Sequence, residues 1–234
     1  MSRYAITDIH GCANTFKEML AKLNFSKRDK LYLLGDYIDR GPDSKGVLDL
    51  IMNLQSTGHK VFCLKGNHEE KMLLSRHDIN QSRNWLTWGG KETLESFGVE
   101  KINDIDNKYL EWMAALPNII ELPDYVLVHA GLNFLTADPT QDQYAMRWIR
   151  NWYEDINLTW LDGRIILHGH TPLVQTEIKE QWNQLMDEDN ERAQYLDLDN
   201  GCVYSSEGKN HLCAFNMDTK ELYFLENSES KISF

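Results

Sequence analysis

The sequence has few positive charges relative to its acidic residues, and it contains no long hydrophobic run. Of 234 residues, 24 are lysine or arginine and 36 are aspartate or glutamate, which gives a formal net charge of -12 at pH 7. Nucleic acids are bound through clustered lysines and arginines, so this balance disfavours them as partners. No stretch approaches the run of about 20 apolar residues that spans a bilayer, and the N-terminus lacks the apolar segment of a secretory signal. We therefore predict a cytoplasmic protein without membrane or nucleic-acid partners.

Cysteine is also scarce. The four cysteines, Cys12, Cys63, Cys202 and Cys213, lie far apart and form no Cys-x-x-Cys pair. Without a secretory signal, we expect free thiols rather than a disulfide framework or a zinc site. The hydrophobic fraction of 42% is that of an ordinary globular protein with a sizeable core. We predict one domain over residues 1–234, and length alone leaves two domains as an alternative.

The sequence is organised by short apolar runs that are followed at once by glycine, aspartate, asparagine or histidine. Runs of this kind, bounded by turn residues, are typical of strands buried on both faces. The five runs are residues 4–7, 31–34, 61–64, 125–128 and 165–167. Ligand sites in α/β sheets form at the carboxyl ends of the strands. If these strand ends lie side by side, their polar residues form one site.

Helices are predicted between the strands. Residues 15–23 and 44–54 place apolar side chains at helical spacing, with Asn14 as N-cap of the first helix and Gly58 ending the second. Residues 69–116 are predicted to be a mostly helical insertion packed beside the site.

From about residue 194 the pattern changes to short strands. The candidates are residues 195–196, 202–204, 212–215 and 222–225, and Asn200-Gly201 is a strong hairpin-turn signal. We predict that this C-terminal part forms a second, antiparallel sheet packed on the first. The acidic stretch 187–191 is predicted to be a solvated loop.

The polar residues after the strands suit a pair of divalent cations. Such a pair needs oxygen and imidazole ligands and one carboxylate that bridges the ions. Asp8 and His10, two apart at one strand end, can reach the same ion, and Asp36 on the neighbouring strand end is the natural bridge. The second ion would be completed by Asn67, His129 and His170. A two-metal site of this kind supplies hydroxide near neutral pH for in-line displacement at phosphorus.

Five motifs follow one another in the chain: Asp-Ile-His-Gly at 8–11, Gly-Asp-Tyr-Ile-Asp-Arg-Gly at 35–41, Gly-Asn-His-Glu at 66–69, His-Ala-Gly at 129–131 and Gly-His-Thr at 169–171. Together they resemble the phosphoprotein phosphatase family of calcineurin-like metallophosphoesterases, in particular its bacterial and phage serine/threonine phosphatases. The resemblance implies an α/β fold in which two packed mixed β-sheets are flanked by helices, with a dinuclear metal site at the carboxyl ends of the strands. It also implies two divalent metal ions, for which we expect manganese, with iron and zinc as alternatives.

The resemblance further implies roles around the metals. His68 would protonate the leaving oxygen, and Asp39 would orient its imidazole and favour the charged form. Arg40 would bind phosphate oxygens with its planar guanidinium, and Asn67 would contact the phosphate as well as a metal. For the second phosphate-binding arginine we predict Arg150.

The alternative for that second arginine is Arg147. Two departures from the family pattern are also visible. Thr7 stands where the family usually has glycine, and Pro172 stands where nuclease relatives carry a second histidine. The second departure favours a phosphatase over a nuclease.

Three functions remain open on the sequence. The predicted one is hydrolysis of phosphoserine or phosphothreonine in a phosphoprotein or phosphopeptide, with phosphotyrosine as an extension. The alternative is symmetrical hydrolysis of diadenosine tetraphosphate, whose enzymes commonly have alanine where this chain has Asp39. The third is a catalytically inactive phosphate-binding regulator, which the complete motif set disfavours. The sequence does not predict an oligomeric state.

Overall fold

The computed structural model describes residues 1–187 and 194–229. Nine strands lie in these ranges: β1 (Arg3–Ile6), β2 (Lys30–Leu33), β3 (Lys60–Cys63), β4 (Ile119–Glu121), β5 (Tyr125–Val128), β6 (Ile165–His168), β7 (Tyr195–Asp197), β8 (His211–Asn216) and β9 (Leu222–Glu226). All five apolar runs therefore form strands. The acidic stretch predicted at 187–191 lies, apart from its first residue, outside the described ranges.

Nine α-helices connect these strands within the described part of the chain. They are α1 (Ala13–Lys22), α2 (Ser44–Ser56), α3 (Asn67–Leu74), α4 (Ile79–Trp85), α5 (Lys91–Phe97), α6 (Asn107–Ala114), α7 (Gln143–Trp148), α8 (Leu158–Leu161) and α9 (Gln175–Met186). Between α4 and α5 the helix is kinked at Gly89, whose φ is 105°. Among the described residues, no helix is both long and apolar enough to cross a membrane.

The strands form two mixed sheets, as predicted. The first has the order β3-β2-β1-β8-β9, in which β1, β2 and β3 are parallel and β8 and β9 are antiparallel to their neighbours. The second has the order β4-β5-β6-β7, in which only β4 runs antiparallel. The five predicted strand ends therefore come from two sheets rather than one.

The two sheets pack face to face around a central apolar layer. Ala5 and Tyr32 of the first sheet belong to the same buried cluster as Tyr125 and Leu127 of the second. Outside the first sheet, α1, α2 and the helices after β3 pack around Phe16 and other apolar side chains. A smaller cluster covers the outer face of the second sheet. The layers run helix, sheet, sheet, helix, which confirms the predicted fold class.

The prediction of a separate C-terminal antiparallel sheet is wrong. β7 pairs with β6 in the second sheet, whereas β8 and β9 extend the first. Residues 202–204 form a turn, in which Tyr204 N donates to Gly201 O at 2.9 Å. Asn200-Gly201 therefore connects two sheets instead of closing a hairpin. The edge of β6 supplies the backbone hydrogen bonds that β7 needs, so a local hairpin partner is not required.

The first two helices lie close to their predicted positions but differ at their ends. Helix α1 begins at Ala13, so Asn14 lies in its first turn and is not the N-cap; its side chain donates to Glu229. Helix α2 ends at Ser56, close to the predicted stop, and Gly58 follows with φ 87°. The four cysteines are free and buried, as predicted.

Candidate metal centre

The polar side chains that follow β1, β2, β3, β5 and β6 meet at one edge of the two sheets. The backbone turns sharply there, and Asp8, His10, Asp36 and His170 all have positive φ values, between 45° and 77°. Backbone hydrogen bonds hold these turns together: His10 N donates to Asp36 O at 2.9 Å, and Gly169 N donates to His129 O at 2.8 Å. Turn residues at strand ends thus place side chains from both sheets around one point.

Asp36 lies at the centre of this cluster. Its Oδ2 is 3.6 Å from Nε2 of His10, and its Oδ1 is 3.4 Å from Nε2 of His129. Two buried groups of side chains place their ligand atoms close enough to hold a metal ion: His10, Asp36 and His68, and Asp36, His129 and His170. Asp36 belongs to both groups, which is the bridging position expected of it.

The remaining predicted ligands surround these groups. Asn67 Oδ1 lies 2.9 Å from Nε2 of His129 and 2.9 Å from Nδ1 of His170. Asp8 Oδ1 lies 3.9 Å from Nε2 of His10. The structure therefore brings all six predicted ligands together.

The orientation of the imidazoles fits cation binding. His10 Nδ1 lies 2.8 Å from Ile38 O, and His129 Nδ1 lies 2.9 Å from Leu34 O. A ring that donates Nδ1–H to a carbonyl presents the lone pair of Nε2 on its other side, as metal-binding histidines commonly do. Both Nε2 atoms point toward Asp36, so the donor set suits two divalent cations.

The buried carboxylates of the cluster also favour the binding of cations. Burial raises the pKa of Asp8, and the neighbouring Asp36 carboxylate adds to this shift. Burial opposes a charge on His129 too, yet Asp36, Asp8 and Glu69 raise its pKa to about 10. A divalent cation replaces that proton and relieves the repulsion between the carboxylates.

Glu69 holds the backbone around Asp36, the carboxylate shared by the two candidate metal groups. Its two carboxylate oxygens accept hydrogen bonds from the backbone N–H groups of Asp36, Tyr37 and Gly66, at 2.8 to 3.0 Å. Burial, followed by the Asp36 charge, raises the pKa of Glu69 to about 7. The side chain thus holds the turn that carries Asp36.

Beside the metal cluster, His68 and Asp39 form a buried pair. His68 Nδ1 lies 2.7 Å from Asp39 Oδ2, and His68 Nε2 faces the cluster at 3.9 Å from Asp36 Oδ2. Burial lowers the pKa of His68, but the Asp36 and Asp39 carboxylates outweigh burial and raise it. The contact with Asp39 thus fixes the imidazole with Nε2 directed at the metal cluster.

A pocket of about 560 Å³ opens over the cluster. Its wall includes Arg40, Arg150, Trp88 and Trp148 together with Asp36, Asn67, His68 and His170. The kink at Gly89 allows the insertion to approach Arg40 closely, because a Cβ there would lie 2.3 Å from Arg40 N. The insertion thereby forms one side of the pocket.

The two candidate second arginines occupy different environments. Arg150 lines the pocket and donates to Thr171 Oγ1 at 2.6 Å. Arg147 is 7% exposed and is bound to Glu70 and Asn118. Arg147 is therefore held by structural contacts, whereas Arg150 lies at the pocket.

Trp88 and Glu92 also line the pocket, and neither was among the residues predicted for the site. No sequence signal separates them from the other residues of the insertion. His168 is the last residue of β6 and directly precedes the Gly-His-Thr motif. Its ring packs against Trp152 and Tyr153, and burial lowers its pKa to about 4.

Residues 1–201 match the family model described as calcineurin-like phosphoesterase. Among curated proteins, a symmetrical bis(5'-nucleosyl)-tetraphosphatase of Wigglesworthia glossinidia brevipalpis is 37% identical over 136 residues. That match covers 56% of this chain and 45% of the relative. The chain thus spans about half the length of the curated relatives it matches.

Solved structures share the fold at low sequence identity. A putative diadenosine tetraphosphatase superposes with a TM-score of 0.65 at 18% identity, covering 97% of this chain and 94% of the other. A protein serine/threonine phosphatase from Saccharomyces cerevisiae superposes with a TM-score of 0.67 at 15% identity, covering 98% and 81%. At these identities the likeness establishes the fold alone.

Proposed function

This chain belongs to the calcineurin-like phosphoesterase family, and we propose that it is a metal-dependent phosphoesterase that hydrolyses dinucleoside polyphosphates symmetrically. The observation that carries this choice is the sequence relationship. Eight curated relatives that are 28% to 37% identical over 134 to 162 residues are each named a symmetrical bis(5'-nucleosyl)-tetraphosphatase. The leading proposal thus differs from the phosphoprotein substrate that the motifs alone predicted.

The residues of the pocket support phosphoryl transfer to water. Two divalent cations bound by Asp8, His10, Asp36, Asn67, His129 and His170 would supply hydroxide near neutral pH and draw charge from the phosphoryl group. Arg40 and Arg150 bind its oxygens with charge-assisted hydrogen bonds, and the amide of Asn67, which lines the same pocket, adds another. Electrostatic stabilisation of this kind commonly supplies the largest part of the rate enhancement.

One observation favours a second candidate, hydrolysis of phosphoserine or phosphothreonine. The buried His68–Asp39 pair is suited to protonate a leaving alkoxide, which is a strong base. A nucleoside diphosphate leaves as a stable anion and has less need of a proton. Asp39 thus favours a phosphomonoester substrate, whereas the sequence relatives favour the dinucleotide.

The two candidates are separated by a turnover assay with manganese. The substrates are diadenosine tetraphosphate, a phosphothreonine peptide and p-nitrophenyl phosphate, and the products are identified by chromatography. We expect the dinucleotide to give only ADP, with a kcat/KM well above that for the peptide. The Asp36→Asn variant is the control for contaminating hydrolases. Release of phosphate from the peptide with the dinucleotide untouched would establish the second candidate instead.

A further inference from the structure

Two of the seven tryptophans are not part of the hydrophobic core. Five pack in one of the three apolar clusters: Trp85, Trp112, Trp152, Trp160 and Trp182. Trp88 and Trp148 pack in none of these clusters, are half-buried, and both line the pocket over the metal centre. Their large apolar faces are therefore kept at the substrate site and not used for folding.

The two rings meet at the pocket wall, each beside a histidine of the site. The centroid of Trp88 lies 6.2 Å from that of His68, and the centroid of Trp148 lies 6.2 Å from that of His170. The two indoles are 5.7 Å apart and are inclined at 62°. The two rings therefore form one continuous aromatic wall beside the metal centre, against which a planar group bound next to the phosphate can lie.

Trp148 is held in place by polar contacts. Its Nε1 donates to Glu70 Oε2 at 2.7 Å, and the other oxygen of Glu70 accepts from Arg147. On its solvent side, the ring of Tyr144 stacks against it at 6.0 Å with an interplanar angle of 17°. These contacts fix the indole before a ligand binds, which lowers the entropic cost of binding.

Trp88 has a different neighbour, because the ammonium group of Lys71 lies over its ring. The ammonium of Lys71 lies 5.1 Å from the Trp88 centroid, and the same ammonium donates to Gln81 Oε1 at 2.8 Å. With Arg40 and Arg150 in the pocket, the aromatic faces are bordered by cations. This combination suits a ligand that joins an anionic chain to a flat ring.

We propose that Trp88 and Trp148 form a stacking subsite for the nucleobase of a nucleotide whose phosphates lie at the metal centre. The proposal rests on the proposed function, because it takes the substrate to be a nucleotide. Every base presents a π-face, so such a subsite selects nucleotides without selecting one base. Glu70 accepts from Trp148 and is itself bound by Arg147, so these two residues act as positioning residues for Trp148.

The test measures binding, not turnover. Dissociation constants of ADP and of inorganic phosphate are determined by calorimetry on the manganese-loaded protein and on Trp88→Leu and Trp148→Leu. We expect ADP to bind about 5-fold to 100-fold more weakly to each variant, the range for removal of one base-stacking ring. We expect phosphate binding to stay within about twofold, because phosphate has no planar ring to stack on an indole. Trp182→Phe is the matched control, because Trp182 packs in the core.

Trp148→Phe separates stacking from structure. Phenylalanine retains an aromatic face but loses the Nε1 donor to Glu70, so we expect ADP affinity between those of wild type and Trp148→Leu. Equal losses of ADP and phosphate affinity, or unchanged ADP affinity in both leucine variants, would overturn the subsite. If ADP binding depends on the rings while diadenosine tetraphosphate is not cleaved, the proposed function fails and the subsite stands.

Discussion

The Nδ1 atom of His68 lies 2.7 Å from Oδ2 of Asp39, and both side chains are buried from solvent. Asp39 is itself held by two further donors, Trp85 Nε1 to Oδ2 at 2.8 Å and Thr93 Oγ1 to Oδ1 at 2.7 Å. A carboxylate with this many partners keeps one orientation, and it keeps the imidazole in one orientation as well. His68 Nε2 is therefore directed toward the metal cluster.

The His68–Asp39 pair predicts how the activity lost in His68→Ala depends on the basicity of the leaving group. Across a series of aryl phosphates, we expect the variant to lose about 10²–10⁴ in kcat with the most basic leaving group, the usual size of acid catalysis. The loss shrinks toward p-nitrophenyl phosphate, whose leaving group departs without a proton. His77→Ala, at an exposed histidine, is the control. A loss of equal size across the series would remove His68 from leaving-group protonation.

Asp36→Asn tests the bridge. Because Asp36 belongs to both candidate metal groups, replacing its charged carboxylate with an amide is expected to lower the manganese content of the purified protein from two ions. The measurement is metal analysis after gel filtration, with Asp104→Asn at an exposed aspartate as the control. An unchanged metal count in Asp36→Asn would mean that Asp36 does not bridge.

Replacing Arg147 and replacing Arg150 are expected to affect different properties of the protein. Arg150→Ala removes a charged hydrogen-bond donor from the pocket, so kcat/KM should fall about 10-fold to 100-fold while thermal stability is unchanged. Arg147→Ala leaves the half-buried Glu70 carboxylate without its guanidinium, so the free energy of unfolding should fall by about 1–3 kcal/mol. Kinetics and denaturant unfolding on both variants measure the contrast. The reverse pattern would identify Arg147 as the phosphate-binding residue.

Thr7 takes part in the support of Asp8. Its hydroxyl donates to Asp8 Oδ2 at 2.6 Å, and His170 N donates to the same oxygen at 3.1 Å. Thr7→Val keeps the shape and removes the donor, so we expect manganese to bind about 10-fold more weakly, as for other hydrogen bonds that orient metal ligands. Equilibrium dialysis measures this, with Thr57→Val on the surface as the control. Unchanged affinity would make Thr7 a packing residue only.

The two sheets are also linked by an ion pair whose strength depends on pH. Arg3 in β1 donates to both oxygens of Asp124 at 2.8 and 2.7 Å, and this hydrogen bonding lowers the pKa of Asp124. A carboxyl whose pKa is lower in the folded state stabilises the protein above its unfolded pKa, near about pH 4, and loses that effect as the pH falls through its folded pKa.

Asp124→Asn is therefore expected to cost about 0.5–1 kcal/mol of unfolding free energy at pH 7, the range for a partly exposed pair. The difference from wild type should shrink below about pH 4 and disappear once the pH has fallen through the lowered pKa of Asp124 in the folded protein. Urea unfolding at several pH values measures it, with Asp106→Asn at the exposed pair with Lys108 as the control. A difference that persists in acid would mean that Asp124 acts through something other than its charge.

The sequence predicted the metal cluster because each polar residue lies next to the strand that positions it. A short apolar run that becomes a buried strand carries the following residues to the edge of a sheet, whichever sheet it joins. Asp8, Asp36 and His129 could therefore be placed together without knowledge of the topology. The paired motifs around Asp39 and His68 were recognisable for the same local reason.

Contacts between residues distant in the sequence decided the rest. Arg147 and Arg150 are three positions apart and chemically alike. Their environments differ because Arg147 is bound by Glu70, which lies 77 residues away in the sequence. The turn signal at Asn200-Gly201 was overridden because β7 hydrogen-bonds to β6 and not to the strand that follows it. Trp88 and Trp148 are the same residue type as the five core tryptophans, so the sequence does not distinguish them. Only the packing of the two sheets and the insertion places their rings in the pocket. Local spacing sets which residues follow a strand, whereas burial and partner choice depend on the whole folded chain.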